Sequence, residues 1–167
     1  MTPPAPSVFI AHPLSAAKNL PATERLVRLF RDAFLDRGWT VRPRRGESVD
    51  ALNARVRAGL GTSLVASNVE GIVASDLLLV IATEMDEPSS VWVEAGVAIA
   101  RAIPLVVVAD PSVRLPFLVG AVVAPGAYAT GGPLNHLLPA SSVPALATGS
   151  HKLQAVEDLV DSIIAGQ

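Results

Sequence analysis

The chain contains no cysteine. That absence excludes a disulfide framework, a thiolate zinc site and a cysteine nucleophile, and it fits a reducing cytoplasm. Charge is scarce as well: only 17% of the 167 residues are charged, and 13 Lys and Arg against 15 Asp and Glu leave a formal net charge of -2. Proteins that coat phosphate backbones carry a basic face, so this balance argues against nucleic acid as a partner. No uninterrupted apolar run approaches the roughly 20 residues that a membrane span needs. The opening residues, MTPPAPS, also lack the basic start and apolar segment of a secretion signal. A soluble, cytoplasmic protein without a membrane partner is therefore expected.

What is present is apolar. Half of the residues are hydrophobic and the mean hydropathy is positive. This length supports one domain with one well-buried core, so residues 1–167 are read as a single domain. There is no internal repeat and no low-complexity tract.

The apolar residues fall into alternating strand and helix patterns. Ser7 to Ala11, between a Pro-rich lead and Pro13, reads as a buried strand. From Thr23 to Arg37, Leu26, Val27, Phe30, Ala33 and Phe34 recur at helical spacing, with Thr23 as cap and Gly38 as stop. "WTVRP" (39–43) follows as a second strand. Ser48 to Ser75 is helix-compatible but interrupted by Gly59, Gly61 and Gly71, which gives one broken helix or two short ones.

Asp76 introduces "LLLVIAT", apolar without alternation, as in a strand covered on both faces. A helix from about Ser90 to Ala102 and a strand at "PLVVVAD" come next. "RLPFLVGAVV" fits helix or strand, 125–150 reads as loop with one short strand near "AYAT", and "LQAVEDLVDSIIA" closes as an amphipathic helix. These alternations predict an α/β Rossmann-like or flavodoxin-like three-layer sandwich around a central parallel sheet of four to five strands.

Ligands of such sheets bind beyond the carboxyl ends of the strands. The segment after the third strand, "EPSSVWVEAGVAIARAIPLVVV", is the richest candidate. Ser89 and Ser90 lie where a helix begins, so their hydroxyls and the first-turn N–H groups form a potential anion site. Glu94 lies about one turn further on among Val91, Val93, Ala95, Val97 and Ala98, and a carboxylate buried there needs a reason. The plain alternative is a first-turn residue that favours the helix dipole. Gly96 and Ala98 read as small residues that let the helix lie close to the sheet.

"PSSVWVEAGVAIARAIPLVVV" resembles the signature of the nucleoside 2-deoxyribosyltransferase superfamily, which includes N-glycosidases acting on nucleoside 5'-monophosphates. A Ser-rich turn leads into a helix with Glu94, Gly96 and Ala98, then Pro104 ahead of "LVVV". "VFIAHPLS", Asp76, "RPRRGES" and "FLVGAV" resemble further family segments, so the similarity spans roughly residues 7 to 123. It implies a single deoxyribosyltransferase-like domain, without cofactor or metal, acting on a nucleoside or nucleotide as a homodimer or higher homo-oligomer.

The chemistry implied is cleavage or transfer of an N-glycosidic bond through a covalent glycosyl-Glu94 intermediate. Asp76 and Asp86 are the candidates for assisting the departing base. Among substrate contacts, His12 meets a sugar hydroxyl or phosphate, Arg44 and Arg45 clamp a 5'-phosphate, Ser89 and Ser90 contact substrate, and Trp92 stacks on a base. For Trp92, packing against the sheet or a partner subunit is the alternative. His136 and His151 lack the spacing of a metal pair.

Two other readings compete. "SSVWVE" also resembles the Ser-x-Trp segment leading to a helical Glu in TIR-like domains that cleave NAD. A non-catalytic nucleotide-binding module of the same fold is the other, motivated by His12 in the first loop and by Pro88 six residues before Glu94, where the family usually has Asp.

Overall fold

The computed structural model describes residues 3–13, 20–42, 54, 57–59, 61–82, 89–109, 113–123, 136–139 and 151–165. Five strands form one sheet: β1 (Ser7–Ala11), β2 (Thr40–Arg42), β3 (Leu77–Ala82), β4 (Leu105–Ala109) and β5 (His136–Pro139). Their order is β2-β1-β3-β4-β5, and every neighbouring pair is parallel. The helices are α1 (Leu20–Asp36), α2 (Gly61–Val73), α3 (Val91–Ala100), α4 (Phe117–Val123) and α5 (His151–Ala165).

β1, β3 and β4 are buried at every position, as their unbroken apolar runs require. Successive side chains point to opposite faces, and this alternation divides the core in two. Val8, Ile10, Leu77, Leu79, Ile81, Val106 and Val108 pack with α1 and α5. Phe9, Ala11, Leu78, Val80, Ala82, Leu105 and Val107 pack with α2, α3 and α4. The predicted three-layer sandwich is thus the fold observed.

α1 buries Leu26, Phe30, Ala33 and Phe34 on one stripe. It begins three residues before the expected cap, so Thr23 is a fully buried interior residue and does not start the helix. Its end is as expected: Gly38 takes φ +77 and donates its N–H to the Leu35 carbonyl, while Trp39 N–H reaches Phe34 O. That turn lays the Trp39 ring 5.3 Å from the ring of Phe34.

In the segment expected to be broken, Gly61–Val73 forms one helix, and Gly71 lies within it. A Cβ on Gly71 would sit 2.7 Å from Cε2 of Phe9, so its bare backbone is what allows α2 to rest on β1. The role assigned to Gly96 is corrected: a Cβ there meets nothing within 4 Å, because Gly96 faces outward from α3. Ala98 is fully buried, as expected. "FLVGAVV" is helical, and a fifth strand forms at His136–Pro139 within the stretch read as loop. The strand expected near "AYAT" lies outside the described residues.

Candidate functional site

α3 returns from the carboxyl end of β3 toward the start of β4, so its first turn stands at the end of the sheet where ligands of this architecture bind. Glu94 belongs to that first turn and is 6% exposed. Its neighbours explain the burial. Val91, Ala95 and Ala98 pack on β3 and β4, while α2 packs alongside α3.

From α2, Asn68 donates its Nδ2–H to Oε1 of Glu94 at 2.9 Å. A hydrogen bond to a charged acceptor is worth about 1.5–3 kcal/mol and offsets part of the cost of burying a carboxylate. The donor is a neutral amide that does not titrate, so it fixes the carboxylate without competing for its proton. The first-turn position adds the favourable end of the helix dipole. The result is a buried, oriented carboxylate suited to act as nucleophile or base.

Asn68 was not among the residues singled out from the sequence. The available signal was a primary amide in an otherwise largely apolar helical stretch, "SLVASNVEGIV".

The helix start itself is more self-contained than expected. The N–H of Val91 is 3.4 Å from Ser89 Oγ, Trp92 N–H donates to Ser89 O, and the N–H groups of Val93 and Glu94 donate to Ser90 O. These amides are engaged within the turn, and the capping residue itself, Ser90, makes no side-chain capping bond. Ser90 is exposed beside them. Trp92 is half-buried and packs against the core layer of α2, α3 and α4, which favours the packing alternative over base stacking.

Asp76 stands at the wrong end of the sheet. It precedes β3, and its Oδ2 accepts the Ser7 N–H at 2.7 Å and the Ser7 hydroxyl at 2.9 Å. Six residues of strand separate it from the carboxyl end of β3, roughly 20 Å at strand rise. Its work is to tie β1 to β3, and the catalytic role expected of it is withdrawn.

His12 follows β1, half-buried, with Nδ1 3.3 Å from the Pro13 carbonyl oxygen. It lines a cleft under α1 together with Ile10, on the face of the sheet opposite α3. Arg44, Arg45 and Asp86 lie outside the described residues. Among the described residues no cluster of three or more His, Asp or Glu side chains is arranged to hold a metal, and no helix is long and apolar enough to cross a membrane.

The fold and this site define a class: a doubly wound parallel α/β domain with a buried carboxylate where a strand hands over to a helix. No protein-family model and no curated protein matches the chain. Solved structures do. A CMP N-glycosidase from Clostridium botulinum superposes with a TM-score of 0.51 at 14% identity, over 93% of this chain and 98% of that one. A conserved protein from Enterococcus faecalis V583 gives 0.50 at 18% identity, over 93% and 88% of the two chains. A 2-deoxyribosyltransferase from Bacillus psychrosaccharolyticus gives 0.46 at 16% identity, over 67% and 78%. At these identities the likeness is one of fold.

Proposed function

We propose that this protein cleaves or transfers the N-glycosidic bond of a nucleoside or nucleoside 5'-monophosphate, with Glu94 as nucleophile. The observation that carries the reading is the Glu94 carboxylate, buried on the first turn of α3 and held by Asn68. The fold likeness to a CMP N-glycosidase supports it, and CMP is the first substrate we would try.

In this reaction the bond from C1' to the base nitrogen breaks as a bond from C1' to a Glu94 oxygen forms. The departing base takes its electron pair and gains a proton. The oxocarbenium character of the transition state is stabilised by the negative carboxylate before the new bond is complete. Water, or a second base, then attacks C1'; the bond to Glu94 breaks and the carboxylate is regenerated with overall retention. With Asp76 committed to Ser7, Asp86 is the remaining candidate for assisting the leaving base. Arg44 and Arg45 are proposed to clamp a 5'-phosphate, and the exposed Ser90 hydroxyl is proposed to contact it.

We further propose that the protein works as a homodimer. Val93 on α3 and Phe117 and Leu118 on α4 are 67%, 85% and 71% exposed on the α3 side of the sheet, an apolar surface suited to a second copy.

The test is release of free base from a panel of nucleosides, their 5'-monophosphates and NAD. Wild-type protein is expected to release base from at least one nucleoside or monophosphate, and Glu94→Ala to abolish release while its circular dichroism is unchanged. Release of nicotinamide alone would instead favour the NAD-cleaving reading. If wild type and Glu94→Ala release base alike, Glu94 is not the nucleophile; if neither releases base from any member of the panel, the binding-module reading is favoured. Adding a second free base separates transfer from hydrolysis.

A further inference from the structure

Asn68 and Gly71 are three residues apart on α2 and therefore neighbours on one face of it. Ile72, beside them, is fully buried in the layer against the sheet, so that face is the inward one. It carries two contacts about 4.5 Å apart along the helix axis. Gly71 rests on Phe9 of β1, and Asn68 reaches Glu94 of α3 at 2.9 Å.

The contact at Gly71 has no slack. A Cβ there would stand 2.7 Å from Cε2 and 3.0 Å from Cδ2 of Phe9. Carbon atoms rest about 3.5 Å apart or more, so a methyl at this position requires a displacement of roughly 0.8 Å. Phe9 resists it, being 1% exposed on a strand paired along both edges. α2 is the freer partner, since it lies in an outer layer with Val65 and Val73 open to solvent. Its C-terminal end is tied down: Ser75 Oγ donates to Gly71 O at 2.7 Å, and the Asp76 N–H donates to Ser7 O at 2.9 Å. Movement at Gly71 is therefore passed up the helix, where Asn68 stands. A 2.9 Å bond lengthened by that amount exceeds about 3.5 Å, where a hydrogen bond is no longer made.

We propose that Gly71 and Phe9 set the height of α2 above the sheet and thereby the reach of Asn68 to Glu94, which makes Gly71 a positioning residue for the Glu94 carboxylate. Its consequence for turnover rests on the N-glycosidic reading above; its consequence for the Asn68 bond does not.

The experiment is NMR of the purified full chain, following the side-chain amide of Asn68, with base-release kinetics alongside. In wild type the Nδ2–H that donates to Glu94 is expected to lie downfield and to exchange slowly with water. Gly71→Ala is expected to move that resonance upfield and to speed its exchange about tenfold or more. Gly96→Ala, the same change on the outward face of α3, is expected to leave it in place. Phe9→Leu removes Cε2 and Cζ and so opens the contact from the other side; it is expected to move the resonance too, and it decides the matter if Gly71→Ala does not fold. Combining the two re-makes the contact and should bring the resonance back toward wild type. On the best substrate of the base-release panel, Gly71→Ala is expected to lower kcat about tenfold or more with KM little changed. In the Asn68→Leu background it should lower kcat no further. The proposal is overturned if the Asn68 resonance stays put in both Gly71→Ala and Phe9→Leu, if the double variant moves it further from wild type, or if Gly71→Ala moves it and leaves kcat unchanged. Absence of base release from wild type overturns the enzymatic reading instead, and the Asn68 resonance alone then decides whether Gly71 sets the bond to Glu94.

Discussion

Asn68 and Glu94, 26 residues apart on α2 and α3, meet in a 2.9 Å hydrogen bond that joins the two helices beside the carboxyl end of the sheet. The bond has a mechanical and a chemical side. It holds the helices together at a polar point in an apolar layer, and it aims the carboxylate.

Replacing Asn68 by Leu therefore affects two measurements. Unfolding free energy is expected to fall by about 1–3 kcal/mol, the usual penalty for leaving a buried acceptor short of its donor. Turnover of the best substrate from the base-release panel is expected to fall about tenfold to a hundredfold with little change in KM, because the lost bond orients Glu94 without touching substrate. Denaturant titration and steady-state kinetics read the two effects. An unchanged kcat would remove Asn68 from the site.

Gly71 and Gly96 are expected to respond oppositely to alanine. At Gly71 the new methyl would stand 2.7 and 3.0 Å from two ring carbons of Phe9, itself 1% exposed, and overpacking of that kind costs about 1–3 kcal/mol. At Gly96 the methyl meets nothing, so helix propensity alone acts and stabilises by up to about 1 kcal/mol. Thermal unfolding of the two variants against wild type checks the pair.

The clasp between α1 and α5 carries a pH signature. Arg37 donates Nη2–H to Asp161 Oδ2 at 2.7 Å and also reaches the Ala33 and Glu157 carbonyls. The hydrogen bond from Arg37 lowers the Asp161 pKa from its ordinary 3.8. A carboxyl lowered in the folded state contributes stability above that ordinary value, and the contribution is lost as pH falls through the lower folded value. Asp161→Asn should thus be less stable than wild type near neutrality, with the gap closing below about pH 4. The pair is exposed, so the gap should be small and should shrink with added salt. Denaturation midpoints between neutral and acid pH measure it.

The apolar surface on α4 gives a direct test of assembly. Leu118→Glu places a charge on a side chain that is 71% exposed, so the isolated fold should tolerate it. If this surface meets a second copy, sedimentation or light scattering should show the variant shifted toward monomer. Equal masses for variant and wild type would place any interface elsewhere.

Much of this fold is legible in the sequence because its central strands are buried on both faces. "SVFIA", "LLLVIA" and "LVVVA" carry no polar residue after Ser7, and the three runs match β1, β3 and β4 almost residue for residue. α1 was equally readable from its repeating apolar stripe. β5 was not, since four residues, "HLLP", within a Gly- and Pro-rich stretch provide neither length nor period. Asp76 misled for a different reason: its place at the start of the third strand was legible, but the family resemblance suggested a catalytic role there, and its bonds to Ser7 show a residue that ties two strands instead. Glu94 stood out as a charge among apolar neighbours. Its partner did not, because 26 residues of chain separate Asn68 from it and no local spacing links the two helices.

The tie between Ser7 and Asp76 also bears on how the chain is made. β1 lies between β2 and β3, and among the described residues the strand that pairs with it before β3 is made is three residues long. The residue that secures it at the amino end comes 69 positions later. At roughly 5–20 residues per second, synthesis leaves the first strand waiting several seconds for β3 to emerge. Through that interval the β3 side of the first strand has no partner, so pairing of β1 with β3 is a late step in the making of this sheet.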